Sequence, residues 1–128
     1  MDYLLDTHAL LWMLDDPAQL PDTAKHVLID KRNRLFVSTA TFWEIAIKIN
    51  RGSLTLSRSL LAVIDTLQEL NVSVLPIKAI HVLPVETRRL YHKDPFDRLI
   101  IAQAMVEGYT VVSKDPAFSF YPISVLWD

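Results

Sequence analysis

The stretch Asp94-Pro95-Phe96-Asp97-Arg98-Leu99-Ile100-Ile101-Ala102-Gln103-Ala104-Met105-Val106-Glu107-Gly108-Tyr109-Thr110-Val111-Val112-Ser113-Lys114-Asp115 leads from a helix into a strand and sets the class of fold. Asp94 stands where an N-cap belongs, Pro95 suits the first helical position, and a helix is predicted to about Glu107, where Gly108 supplies a left-handed stop. Thr110 to Ser113 is short, apolar and β-branched, as a buried strand requires. An acid, Asp115, follows it.

Reading outward from this unit, the same alternation recurs. Tyr3-Leu4-Leu5 is a short apolar strand, and Asp6-Thr7 can cap a helix over His8 to Leu14. Pro17 and Pro21 interrupt the chain, Asp22 or Thr23 can cap a second helix to about Lys31, and Leu35-Phe36-Val37 is the next strand. A helix is predicted over Thr39 to Arg51, closed by Gly52, and an amphipathic one from Ser57 or Ser59 to about Leu70. Val72 to Leu75 is a third strand stopped by Pro76. Ile77 to Tyr91 reads as helix, broken or offset near Pro84, and Ile123 to Leu126 as a fifth strand. Short apolar strands alternating with helices define a three-layer α/β/α fold around a mostly parallel sheet of four or five strands. In such a sheet the crevice for a ligand lies beyond the carboxyl ends of the strands.

With 128 residues, about half of them hydrophobic, seven prolines, two glycines and no low-complexity tract, residues 1–128 read as a single domain with one sizeable core. The acidic start Met1-Asp2-Tyr3 lacks the basic region of a secretory signal, and no apolar run approaches the ~20 residues of a membrane span, so a cytoplasmic protein is expected. The absence of cysteine fits a reducing compartment. A net charge of −2 confines any contact with nucleic acid to local basic clusters, Lys31-Arg32-Asn33-Arg34 and Arg88-Arg89-Leu90-Tyr91-His92-Lys93. The second runs directly into the acids at Asp94 and Asp97.

Those acids carry the chemistry. Asp6 closes the first strand, Glu44 lies early in the helix after the second, Asp94 and Asp97 flank a helix start, and Asp115 follows the fourth strand. Each has an ordinary structural role open to it: Thr41 to Glu44 matches a capping box, Asp94 an N-cap, Asp97 a dipole-favoured first-turn acid, and Asp6 and Asp115 cap or turn residues. Taken together they crowd one edge of the sheet without a matching set of Lys or Arg. Crowded carboxylates repel, and an all-oxygen cluster is the ligand set of Mg²⁺ or Mn²⁺. Without cysteine or an HExxH pair, zinc is a poor fit. A hard cation with open water positions suits hydrolysis of a phosphodiester. His8, His26, His81 and His92 form no nucleophile–base spacing, and neither GxSxG nor a Gly-rich phosphate loop occurs.

Leu4-Leu5-Asp6-Thr7, Ser38-Thr39-Ala40-Thr41-Phe42-Trp43-Glu44-Ile45, His92 through Ala104, and Val111-Val112-Ser113-Lys114-Asp115 together resemble the PIN-domain ribonucleases, especially the VapC-type toxins of toxin–antitoxin pairs. The resemblance spans nearly the whole chain, with the third stretch the most specific. It implies a PIN-like fold and a metal-dependent endoribonuclease with Mg²⁺, or Mn²⁺ in its place, at Asp6, Glu44, Asp97 and Asp115. The family position in the third stretch falls on Asp97, leaving Asp94 as cap or supporting ligand. Thr7 and Ser113 match positions that often carry a hydroxyl. By the same implication the substrate is RNA, cleavage leaves a 5′-phosphate, a small antitoxin restrains the activity, and homodimers form.

His92, Lys93 and Arg98 are the residues nearest the acids for contact with RNA. Arg98 and Lys114 can also neutralise part of the cluster, and Lys48 can pair with Glu44 along one helix face. Trp12 and Trp43 are expected to pack inside, with stacking on bases the alternative. Two other readings stand beside the ribonuclease: a receiver-like Mg²⁺-binding signalling domain and a non-catalytic module of the same fold. The first wants a phosphoryl-accepting aspartate directly after a central strand, which neither Leu35-Phe36-Val37-Ser38 nor Val72-Ser73-Val74-Leu75-Pro76 provides.

Overall fold

In the computed structural model, which describes residues 1–89 and 91–128, five parallel strands form one sheet in the order β3-β2-β1-β4-β5. The strands are β1 (Asp2–Leu5), β2 (Arg34–Ser38), β3 (Val72–Leu75), β4 (Thr110–Val112) and β5 (Val125–Leu126). The helices are α1 (Thr7–Asp15), α2 (Asp22–Ile29), α3 (Thr39–Asn50), α4 (Leu60–Glu69), α5 (Ala79–Thr87) and α6 (Pro95–Glu107), with 3-10 turns at Pro17–Gln19 and Pro116–Phe120. The α/β class with a parallel sheet and all five expected strands is as the sequence predicts.

The two faces follow from the period of two along each strand. Tyr3 and Leu5 of β1 point to one side, where Leu35, Val37 and Val72 meet Ala9 and Leu10 of α1, Ile45 of α3 and Val63 and Leu67 of α4. Leu4 and Val111 point to the other, against Ile100, Ile101 and Ala104 of α6 and the rings of Phe118 and Tyr121. Fully burying one such side chain contributes ~1.5–3 kcal/mol, so each face holds its helices by several contacts of this kind. α5 packs against α6, and the buried His81 ties the two together: its Nδ1 accepts from the Lys78 amide at 3.0 Å, and its Nε2 lies 2.8 Å from Glu107 Oε2.

The strand order puts the reversal of direction between β1 and β4. From β1 the chain builds outward through β2 to β3, then returns to β4 on the other side of β1. Leu5 is aligned with Val37 on one side and Val112 on the other. The residues immediately after β1 and β4 therefore lie side by side at a topological switch point, the place where an open α/β sheet leaves a crevice.

Several boundaries differ from the sequence reading. α2 begins at Asp22 without a side-chain cap and ends at Ile29, because Asp30 turns to an extended conformation before Lys31 is reached. α5 runs through Pro84 but stops at Thr87, where Arg88 is extended; Leu90, within both the expected helix and the second basic cluster, lies outside the described residues. The capping box at Thr41 to Glu44 is not formed. Ser38 caps α3 instead, accepting from the Ala40 amide at 3.0 Å, so Thr41 and Glu44 are interior helix residues. Ser59 caps α4, and Gly52 and Gly108 both follow helix ends with φ of 79° and 73°, the left-handed role assigned to them.

Candidate functional site

Asp6 is the first residue after β1. Its carboxylate accepts from the Ala9 amide at 2.8 Å, which caps α1 and fixes its direction. The carboxyl is buried, and burial raises its pKa; hydrogen bonds from the Ser113 hydroxyl and the Ala9 amide and the charge of His8 oppose this, while Asp115 adds to it. The net shift is upward.

Glu44, also buried, projects from the second turn of α3. The Thr7 hydroxyl donates to its Oε1 at 2.6 Å and Lys48 Nζ lies 2.6 Å from its Oε2, the helix pair the spacing predicts. Thr7 also reaches Thr41 Oγ1 at 3.3 Å, so the start of α1 and the interior of α3 share one polar seam.

Asp94 caps α6, its Oδ1 accepting from the Phe96 and Asp97 amides at 2.8 and 3.2 Å. That is the cap role expected of it, and Asp97 follows three residues on, with a ligand atom within 4.8 Å of those of His92 and Asp115. Asp97 is pushed up to about 7, first by burial and then by the charges of Asp94, Glu44 and Asp6, with His92 opposing. Among the described residues, neither Asp6 nor Asp97 is in a salt bridge.

Asp115 begins the 3-10 turn after β4, accepting from the Ala117 amide at 2.9 Å, while its own amide donates to Ser113 Oγ at 3.1 Å. Burial raises its pKa, but the Ala117 amide and His92 outweigh that and hold the carboxyl below the usual range. Ligand atoms of His92, Asp97 and Asp115 all lie within 4.8 Å of one another. Of the acids named from the sequence, Asp97 and Asp115 share this cluster with His92, Asp6 and Glu44 are near enough to add to the charge felt by Asp97, Ser113 bonds both Asp6 and Asp115, and Thr7 bonds Glu44.

The flanking residues fall differently. The His92 side chain is buried, with Nε2 2.8 Å from Asp115 Oδ2 and Nδ1 3.1 Å from the Tyr121 hydroxyl, so it braces Asp115 from within. Arg98 spends its Nε on the His92 carbonyl oxygen, and Lys114 Nζ lies 5.6 Å from the Trp12 ring; among the described residues neither forms a salt bridge with the acids. Lys93 is exposed. Trp43 is not packed inside as expected but is 59% exposed, because it occupies the outward side of α3 next to Glu44. Tyr121, whose hydroxyl also accepts the Tyr91 and His92 amides, carried no signal in the sequence beyond its aromatic type.

The donor set fits a hard divalent cation. It is all oxygen apart from one imidazole, and Asp97 is shifted upward by burial first and by repulsion from neighbouring acids second.

The fold is an open parallel α/β sheet with acids near its switch point. The chain belongs to the PIN-domain family, whose model it matches over residues 3–122. It is 28% identical over 112 residues to ribonuclease VapC22 of Mycobacterium tuberculosis, covering 88% of this chain and 85% of that protein. Among solved structures, the fold is that of VapBC2 from Rickettsia felis, bound to a promoter DNA fragment, with TM-score 0.68 and 18% identity over the full length of both chains. VapBC-1 from nontypeable Haemophilus influenzae superposes with TM-score 0.66 at 20% identity, covering 98% of this chain and 97% of that one. Membership of this family replaces the receiver-like reading.

Proposed function

We propose that residues 1–128 form one PIN-like catalytic unit, an Mg²⁺-dependent endoribonuclease that acts as the toxin of a toxin–antitoxin pair in the cytoplasm. The observation that carries this reading is geometric: ligand atoms of His92, Asp97 and Asp115 lie within 4.8 Å of one another at the switch point. Burial and the neighbouring acids raise the Asp97 carboxyl to about 7, as expected of a site where a cation would favour the ionised form. The likeness to a VapC ribonuclease and to the fold of VapBC complexes supports the choice of substrate and partner.

Asp6, Glu44, Asp97 and Asp115 would hold the cation. Mg²⁺ in that position supplies charge stabilisation for the reacting phosphate and activates a water for attack. The protein's own part is orientation. The cap bonds to Ala9 and Ala117 fix Asp6 and Asp115, and Ser113 connects them. Thr7 holds one oxygen of Glu44, and Lys48 offsets the charge on the other, so that Glu44 adds less repulsion than an unpaired acid. Asp94 contributes by capping α6 and by its field. Lys93, exposed at the rim, is placed to meet a phosphate, with an antitoxin covering the same crevice and a homodimer as the assembly. No helix among the described residues is long and apolar enough to cross a membrane.

The test is cleavage of RNA by protein freed of any partner. Activity should require Mg²⁺ or Mn²⁺, vanish in EDTA, and fall about 10³-fold in Asp97→Asn, the scale of removing one essential electrostatic group. Cleavage that persists in EDTA and is indifferent to Asp97→Asn would overturn the reading. Absence of Mn²⁺ binding at millimolar concentration would favour an inactive module of the same fold.

A further inference from the structure

Two aromatic pairs lie beside the carboxylate cluster, with Trp43, Tyr91 and Phe120 exposed. On one flank, Trp43 meets Phe96 edge to face, centroids 5.3 Å apart at 86°. Each ring directly precedes an acid of the site, Glu44 and Asp97 respectively, so this pair bridges α3 and the start of α6 at the crevice mouth. An edge-to-face pair covers only one of its four ring faces, and Trp43 is 59% exposed. On the other flank, Tyr91 and Phe120, 44% and 63% exposed, meet at 5.2 Å and 62°. The Tyr91 amide donates to the Tyr121 hydroxyl at 2.7 Å, and that hydroxyl touches His92, which is bonded to Asp115.

Exposed aromatic rings next to a polar crevice suit a ligand with flat apolar faces. The charge beside it says which: the Arg89 guanidinium lies 5.2 Å from the Tyr91 ring centre, and Arg88 and Lys93 are exposed on the same segment. Rings interleaved with cations suit a chain of bases joined by phosphates.

We propose that Trp43 with Phe96, and Tyr91 with Phe120, are shelves on which unpaired bases of single-stranded RNA stack on either side of the cleaved phosphate. The inference rests on the ribonuclease reading and sharpens it. A duplex keeps its bases stacked on one another and cannot offer them to the shelves, so the site selects unpaired segments.

The experiment measures binding of a short labelled single-stranded RNA to Asp97→Asn protein, which does not cleave it. Adding Trp43→Ala should weaken binding about tenfold, as loss of one stacking partner does, whereas Trp43→Phe keeps most of the affinity. A series of RNAs each lacking one base should contain a position at which Trp43→Ala costs nothing further. Duplex RNA of the same sequence should bind weakly to both. Unchanged affinity in a Trp43→Ala protein that unfolds cooperatively would overturn the shelves while leaving the ribonuclease intact; failure of the wild-type chain to bind or cut any RNA would overturn the ribonuclease itself. A fall from dimer to monomer by light scattering, with RNA affinity per chain unchanged, would assign the Trp43 ring to a second copy and overturn the inference.

Discussion

β1 carries an acid near each end, and the two live in opposite electrostatic worlds. Asp2, at the amino end, is in register with Arg34 of β2 and takes two hydrogen bonds from its guanidinium, at 2.7 and 2.6 Å, which hold its carboxyl below the usual range. Asp30, on the same side of the sheet, is held at about 2 by Arg32. Asp6, just past the carboxyl end, is buried with no such partner and is shifted upward, as is Asp97 beside it. At one edge charge is matched by charge in water; at the other, Asp6 and Asp97 are left, among the described residues, without a cationic partner where burial weakens screening by solvent. A fold tolerates such a cost at the place where binding a cation repays it.

The sharpest way to break this comparison is to neutralise one acid at each end. Asp6→Asn keeps a good N-cap for α1 and removes only the charge, so RNA cleavage should drop about 10³-fold with the fold intact. Asp2→Asn should leave cleavage unchanged. Equal activity in the two variants, measured under identical Mg²⁺, would mean the ends do not differ as described.

Next in size is a pH effect. Asp97 has a folded pKa of about 7 against 3.8 for the ordinary carboxyl, so the metal-free fold binds its proton more tightly than the unfolded chain does. Its contribution to stability is complete below pH 3.8 and lost as the pH rises through about 7. Asp97→Asn should therefore stabilise metal-free protein at pH 8 by ~2 kcal/mol, a value discounted for partial solvation, and flatten that part of the profile. Urea unfolding across the pH range in EDTA measures this. Mg²⁺ should narrow the gap by stabilising the wild type alone.

Smaller again is the pair inside α3. Lys48→Met leaves the Glu44 carboxylate buried with only Thr7, which should cost ~1–2 kcal/mol in EDTA and be partly restored by Mg²⁺. A variant as stable as the parent in both conditions would show that the ion pair contributes nothing. Smallest is the outer edge: the Asp2–Arg34 pair is solvent-facing, and Arg34→Met should shift the unfolding midpoint hardly at all at neutral pH. Both Asp2 and Asp30 have lowered carboxyls, so what they contribute is lost as the pH falls, the reverse of the Asp97 profile.

The layers, the five strands and most helix starts were legible in the chain, and the acids proposed for the site could be picked out there, because each depends on local pattern. Apolar period, N-caps such as Asp6, Ser59 and Asp94, and glycine stops at Gly52 and Gly108 act over a few residues and leave a mark there. Where two local rules competed, the reading failed. Thr41 to Glu44 has the composition of a capping box, yet Ser38 at the strand end captured that role, and Thr41 and Glu44 became interior residues. Trp43 belongs to a residue type usually packed inside, but neighbouring Ile45 already fills the core side of α3.

Sequence alone therefore determined which residues bear charge, where each strand hands over to its helix, and that those handovers share one edge. The Lys48–Glu44 pair was readable from its spacing, but only the tertiary structure decided the distant pairings. Arg34 belongs to Asp2 and His92 to Asp115, while Asp6 and Asp97 receive no salt bridge among the described residues. Partners separated by tens of residues meet only after the sheet sets their register, and the energy of a charge depends on its burial and its neighbours within a few ångströms, neither of which is written in the order of the chain.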